Sequence, residues 1–191
     1  MGGKDHRTSA ADIAAEFDRY KRHVSTVSLS LHSCGGSLHY AQRTIAVLEQ
    51  IKATHQVATI VERGNLCGSA CVVVFLAGKR RVGALTSAFY FHPVVMPRDD
   101  PGTPDAVARM KRRSQVTDDV IWRYFVRAGL SEDWLQYLRR TLRTHDLWQS
   151  GRDLWDSKSG VLTETLDNLA PREDGTIDLP NGTACGVVCR G

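Results

Sequence analysis

The sequence predicts an α/β fold, on three observations. Short β-branched runs alternate with stretches whose apolar residues recur at helical spacing. The order reads strand, helix, strand, buried helix, strand, helices, which suits strands joined by right-handed crossovers. No internal repeat or low-complexity segment breaks that order. At 191 residues the chain is long enough to bury a real core as one domain. Residues 1–170 are expected to form that domain, and 171–191 a turn-rich tail.

The elements follow in chain order. "SAADIAAEFDRYKRH" (9–23) predicts a helix capped by Ser9, with Ile13, Phe17 and Tyr20 on one face. "VSTVSLSL" (24–31) alternates and predicts a strand, followed by the Gly-rich turn "HSCGGSL". Leu38, Ala41, Ile45, Leu48 and Ile51 then mark a helix. "QVATIVE" (56–62) predicts the next strand, with "RGNLCG" as its exit loop. "SACVVVFLAG" is apolar all round, as a fully buried helix is, and Gly78 ends it. "SAFYFHPVV" predicts a short strand stopped by Pro93, and "MPRDDPGTP" (96–104) a loop. A long amphipathic helix starts near Pro104, and Ser131 caps another. "SGRDLWDSKSGVLTE" predicts a short helix closed by Gly160 and a short strand. In the tail only "ACGVVC" has the pattern of an edge strand.

Composition excludes several function classes. Hydrophobic residues make up 42% and charged residues 24%, an ordinary globular balance, and the net charge of +4 is too mild to argue for nucleic acid. The basic residues of 109–143 are spaced as the solvated sides of helices. No apolar run approaches the roughly 18 residues of a bilayer span, and "MGGKDHRTSAADIAAEF" has no apolar signal core. The compartment stays open: periplasmic if the start is trimmed, cytoplasmic if it is native. Five cysteines (Cys34, Cys67, Cys71, Cys185, Cys189) are an odd count. The C-x3-C pairs lack the usual zinc spacing, so no metal is expected. Buried free thiols are the first reading, and a local Cys67–Cys71 disulfide is the alternative in an oxidising compartment.

Three places combine reactive residue types with suitable local structure. In "SCGGS" the adjacent Gly35 and Gly36 allow backbone amides to approach a ligand or a developing oxyanion. Ser69 heads the buried helix, where a hydroxyl is ordinarily an N-cap. The same position sets it near the positive end of the helix dipole, with the amide of Ala70 next to it. His92 closes an apolar strand before a proline. Each has a plain structural explanation; together they form an acyl-transfer set. The surroundings of Ser69 do not match G-x-S-x-G, so the α/β-hydrolase elbow is not matched. "SCGGS" matches neither dinucleotide nor P-loop motifs, so nucleotide binding gains nothing, and acyl transfer by such a set needs no cofactor.

"VSLSLHSCGGSLHYAQRTIAVLEQI" and "CGSACVVVFLAGKRRVGALTSAFYFHPV" resemble successive units of Clp protease proteolytic subunits, within the crotonase-like superfold. The pattern of Cys67, Ser69, Ala70, Cys71, Ala77, Gly78, Phe91 and His92 is most like a group of ClpP-like bacterial proteins often predicted to be periplasmic. The likeness covers roughly residues 10–166. It implies a spiral of ββα units with a protruding helical element, here the helix from Pro104. It also implies a Ser-His-Asp triad of Ser69, His92 and Asp146, with Asp153 the choice of a shifted alignment. Oxyanion amides would come from Gly36 (or Gly35) and Ala70. The family usually has proline where Cys34 stands and opens with strands before its first helix. The tail strand "ACGVVC" is one candidate for that place. The function so implied is an ATP-independent serine peptidase acting on peptide or protein substrates as a homo-oligomer. A crotonase-like acyl-thioester enzyme or binder, and an inactive ClpP-like scaffold, are the alternatives.

Overall fold

The computed structural model describes residues 9–94, 103–168 and 185–186. Residues 96–102 of the predicted loop, Val95 of the strand predicted before it, and all of the tail except 185–186 lie outside the described residues. The first helix, α1 (Ala10–Tyr20), begins in a reciprocal cap: the Ser9 side chain accepts from the Asp12 amide, and the Asp12 carboxylate accepts from the Ser9 amide. Strand β1 (Thr26–His32) leads through the Gly-Gly turn to α2 (Leu38–Lys52), which buries Ala41, Ile45, Leu48 and Ile51, the face its spacing predicts. Strands β2 (Gln56–Val61) and β3 (Leu66–Gly68) precede the short helix α3 (Ala70–Phe75). Every residue of α3 from Cys71 to Phe75 is buried, as its all-round apolar sequence requires.

Strands β4 (Arg80–Gly83) and β5 (Ala88–Phe91) are followed by the 24-residue helix α4 (Pro104–Arg127) and by α5 (Glu132–Thr141). Strand β6 (Leu147–Ser150), α6 (Gly151–Asp156) and β7 (Glu164–Thr165) complete the domain, and β8 (Cys185–Gly186) is the described part of the tail. The strands form two sheets. One has the order β7-β4-β2-β1-β8 and is parallel throughout; the other is β3-β5-β6, with β3 and β5 parallel and β6 antiparallel. Among the described residues a single bridge, Ser33 to Cys67, joins them. β8 lies on the outer edge of β1, so the tail supplies an edge strand there. The mixed α/β architecture is the expected fold class.

The core is continuous from α2 through α3 to α5. Leu48, Val61, Phe75, Phe89, Leu138 and Val161 are fully enclosed in it, each such side chain contributing roughly 1.5–3 kcal/mol. Three strands depart from the sequence-based reading. β3 falls in "RGNLCG", read as an exit loop; β4 carries two arginines; β6 is only four residues long. Among the described residues no helix is long and apolar enough to cross a membrane.

Candidate active site

The site lies where the parallel strands β3 and β5 end. Gly68 is paired with Tyr90, and the amide of Ser69 donates to the Tyr90 carbonyl at 2.8 Å. Ser69 therefore leaves the end of β3 beside the end of β5, where His92 follows. Its backbone has φ 54° and ψ −125°, a positive-φ conformation that costs a non-glycine residue about 1–3 kcal/mol. The Ser69 side chain makes no capping hydrogen bond to α3. Instead Ser69 Oγ stands 2.7 Å from His92 Nε2. The capping explanation for this serine is thereby displaced.

The imidazole's other nitrogen settles its tautomer. His92 Nδ1 is 2.7 Å from the Pro93 carbonyl oxygen. A carbonyl only accepts, so in the neutral ring Nδ1 carries the proton and Nε2 is the nitrogen that accepts from the Ser69 hydroxyl. A histidine in that state is a base aimed at a hydroxyl.

The Gly-Gly turn runs along the same edge. Ser33 donates its amide to the Leu66 carbonyl at 2.7 Å and accepts from the Gly68 amide at 2.8 Å. Gly35 (φ 118°) then passes so close to the serine that a Cβ there would fall 2.5 Å from Ser69 Cβ and 2.8 Å from the Gly68 oxygen. No larger residue fits. The Gly35 amide is engaged, donating to Ser33 Oγ at 3.1 Å. The Gly36 amide has no partner among the described residues. The Ala70 amide, at the first position of α3, has no acceptor within its helix. Of the expected oxyanion donors, the structure leaves Gly36 and Ala70 with amides to give.

Two cysteines flank the serine in a disulfide, Cys67–Cys71, with Cα atoms 5.3 Å apart. It staples the end of β3 to the first turn of α3. Cys34, next to Gly35, is also disulfide-bonded, so the free-thiol reading fails for these three cysteines.

The expected Asp146–His92 hydrogen bond is not formed. The β5–β6 register ends at the pair Phe91–Leu147, and Asp146 and His92 each lie one residue beyond it. Tyr90, on the same face of β5, takes the carboxylate first: its hydroxyl donates to Asp146 Oδ2 at 2.6 Å. That bond raises the Tyr90 hydroxyl above a tyrosine's ordinary pKa. Asp153, the shifted choice, is further engaged. Its carboxylate accepts from the Ser150 amide at 2.8 Å and the Ser150 hydroxyl at 2.7 Å, forming the N-terminal cap of α6. These bonds hold it below the usual aspartate pKa.

Sequence reasoning missed Tyr90, Trp148 and the Pro93 carbonyl. Tyr90 stacks against His92 with centroids 5.2 Å apart, and against Trp148 at 4.4 Å, each with planes 28° apart. The signal was there for Tyr90. In "AFYFH" the period of two puts it on the face of His92, opposite the buried Phe89 and Phe91.

No family model matches the chain, and comparison with curated proteins finds none similar. Among solved structures, the chain is similar to that of a point mutant of ClpP1 from Listeria monocytogenes. The TM-score is 0.65, with 90% of this chain and 89% of that one covered at 16% identity. At that identity the likeness is one of fold, and the fold of this chain is ClpP-like.

Proposed function

We propose that the protein is a ClpP-like serine peptidase in which Ser69 is the nucleophile and His92 the general base. The observation that carries this is the 2.7 Å approach of Ser69 Oγ to an imidazole nitrogen left free to accept. In this reading the Ser69 oxygen attacks a peptide carbonyl while its proton passes to His92 Nε2. The C–N bond then breaks, and the imidazolium returns that proton to the departing amine. Water, deprotonated by the same nitrogen, releases the acyl group and regenerates the hydroxyl. The amides of Gly36 and Ala70 would receive the oxyanion, each donor of this kind typically worth ~3 kcal/mol.

The ring stack and the Cys67–Cys71 staple support the same reading, because they hold the two reacting side chains on short, fully packed strand ends. Nothing in the chemistry calls for ATP or a cofactor. Self-association of the chain is part of this reading, and the long helix α4 carries the exposed apolar residues Val107, Val116 and Val126.

The test is hydrolysis of a mixed peptide library, followed by mass spectrometry. The wild-type chain is expected to cleave, and Ser69→Ala to lose at least about a thousandfold in rate. Equal cleavage by both would reject the assignment.

A further inference from the structure

We propose that Tyr90 is the positioning residue for the His92 imidazole, and that Asp146 acts through Tyr90 rather than on His92. The inference rests on the peptidase reading for its kinetic consequences and on geometry alone for its structural ones. The proton on His92 Nδ1 is already taken by the Pro93 carbonyl at 2.7 Å. Asp146 and His92 each lie one residue past the last β5–β6 pair, yet Asp146 Oδ2 receives the Tyr90 hydroxyl at 2.6 Å. The Tyr90 ring meets the imidazole at 5.2 Å and is flanked by Trp148 at 4.4 Å.

Each contact has a distinct physical consequence. The Pro93 carbonyl selects the tautomer that leaves Nε2 as acceptor, the task a carboxylate performs in a Ser-His-Asp triad. A carbonyl supplies a dipole and not a full charge, so the imidazolium formed during attack gains less from it. The Tyr90 ring offers its face to the imidazole and restricts its rotation, and a ring face also attracts a cation. Asp146 pins the far end of that tyrosine through its hydroxyl, and Trp148 packs against its ring. Asp146 is exposed to solvent, where a carboxylate's field is strongly screened. Its mechanical hold on Tyr90 is a shorter-range effect and survives that screening.

The proposal separates the ring from the hydroxyl, and both from the carboxylate. The experiment measures the rate of fluorophosphonate labelling against pH for wild type, Ser69→Ala, Asp146→Asn, Tyr90→Phe, Tyr90→Leu and the Asp146→Asn/Tyr90→Phe pair. Asp146→Asn and Tyr90→Phe each remove one end of a single hydrogen bond. Each is expected to label less than about thirtyfold more slowly than wild type, and the pair no more slowly than the worse single variant. Tyr90→Leu removes the stacked ring. It is expected to fall at least about tenfold below Tyr90→Phe and to shift the acidic limb of the pH profile. A loss beyond about thirtyfold in Asp146→Asn, or equal rates for Tyr90→Leu and Tyr90→Phe, overturns the proposal.

The imidazole nitrogen-15 spectrum supplies a readout independent of turnover. His92 is expected to be the Nδ1–H tautomer in wild type and in Asp146→Asn alike. A change of tautomer in Asp146→Asn also overturns the proposal. A wild-type chain that takes no label counts against the peptidase reading, and the spectra then decide this inference.

Discussion

Ser69 combines two properties that rarely serve stability. Its φ of 54° is unfavourable for any side chain, and its hydroxyl is spent on His92 and not on its own helix. Alanine at this position keeps the strain and loses the hydroxyl, whereas glycine loses both. Ser69→Gly is therefore expected to be more stable than Ser69→Ala by about 1 kcal/mol, a difference of roughly 2–4 °C in melting temperature for a domain of this size. Calorimetry of the two variants checks it; equal stability would mean that the turn is not strained. At this scale the sequence was informative where one residue type admits few roles. Ser69, His92 and the two glycines stand out because a hydroxyl at a helix start, a histidine at a strand end and a Gly-Gly turn are local patterns. The Pro93 carbonyl does not, since every residue has a carbonyl and only the folded backbone aims it. Asp146 lies one residue past the last β5–β6 pair, as His92 does, but its bond to Tyr90 is one that spacing does not reveal.

Among the elements, β4 shows why some strands were illegible. "RRVG" reads as surface because of its two arginines, yet Arg81 is only 8% exposed. Its guanidinium donates to the carbonyls of Val161 at 2.9 Å, Gly160 at 2.7 Å, Ala128 at 3.1 Å and Gly78 at 3.4 Å. Ala128 is the residue that closes α4, so the cation also sits at the negative end of that helix. Burial pulls the Arg81 pKa below its ordinary value, but a guanidinium held by four carbonyls remains charged. One side chain thereby fastens β4, the end of α4 and the turn after α6. Arg81→Met, which keeps the volume and loses the donors, is expected to cost about 3 kcal/mol. Urea unfolding checks it, and a loss under about 1 kcal/mol would show the fan to be dispensable. β6 was illegible for a different reason: "LWQS" carries no apolar alternation and no β-branched residue, and only pairing with β5 defines it.

On the scale of the whole molecule, the outer edge of the parallel sheet depends on carboxylates. Glu164 of β7 takes both Nε and Nη2 of Arg80, at 2.8 and 2.6 Å. Asp167 accepts from the Leu85 amide at 2.8 Å and pairs with Arg63. The Arg80 bonds lower the Glu164 pKa from 4.5, and the Leu85 amide foremost lowers that of Asp167 from 3.8. A depressed carboxylate gives stability that is complete above its unfolded pKa and lost as pH falls through the folded one. The melting temperature is thus expected to hold from neutrality to about pH 5 and to fall below it. Glu164→Gln/Asp167→Asn should start lower at neutral pH and fall less steeply; parallel curves would contradict the linkage. The α/β architecture itself was legible, because amphipathic helices and β-branched strands repeat a pattern along the chain. The division into two sheets was not, since it turns on the three-residue β3 and the bridge at Ser33.

The central claim is that Ser69 is a nucleophile activated by His92. Fluorophosphonate labelling read by intact mass, with peptide mapping of the modified residue, tests it most directly. One adduct per wild-type chain, located on Ser69 and absent from Ser69→Ala and His92→Ala, is the expected result. An unlabelled wild type, or an adduct that persists in Ser69→Ala, would contradict the claim.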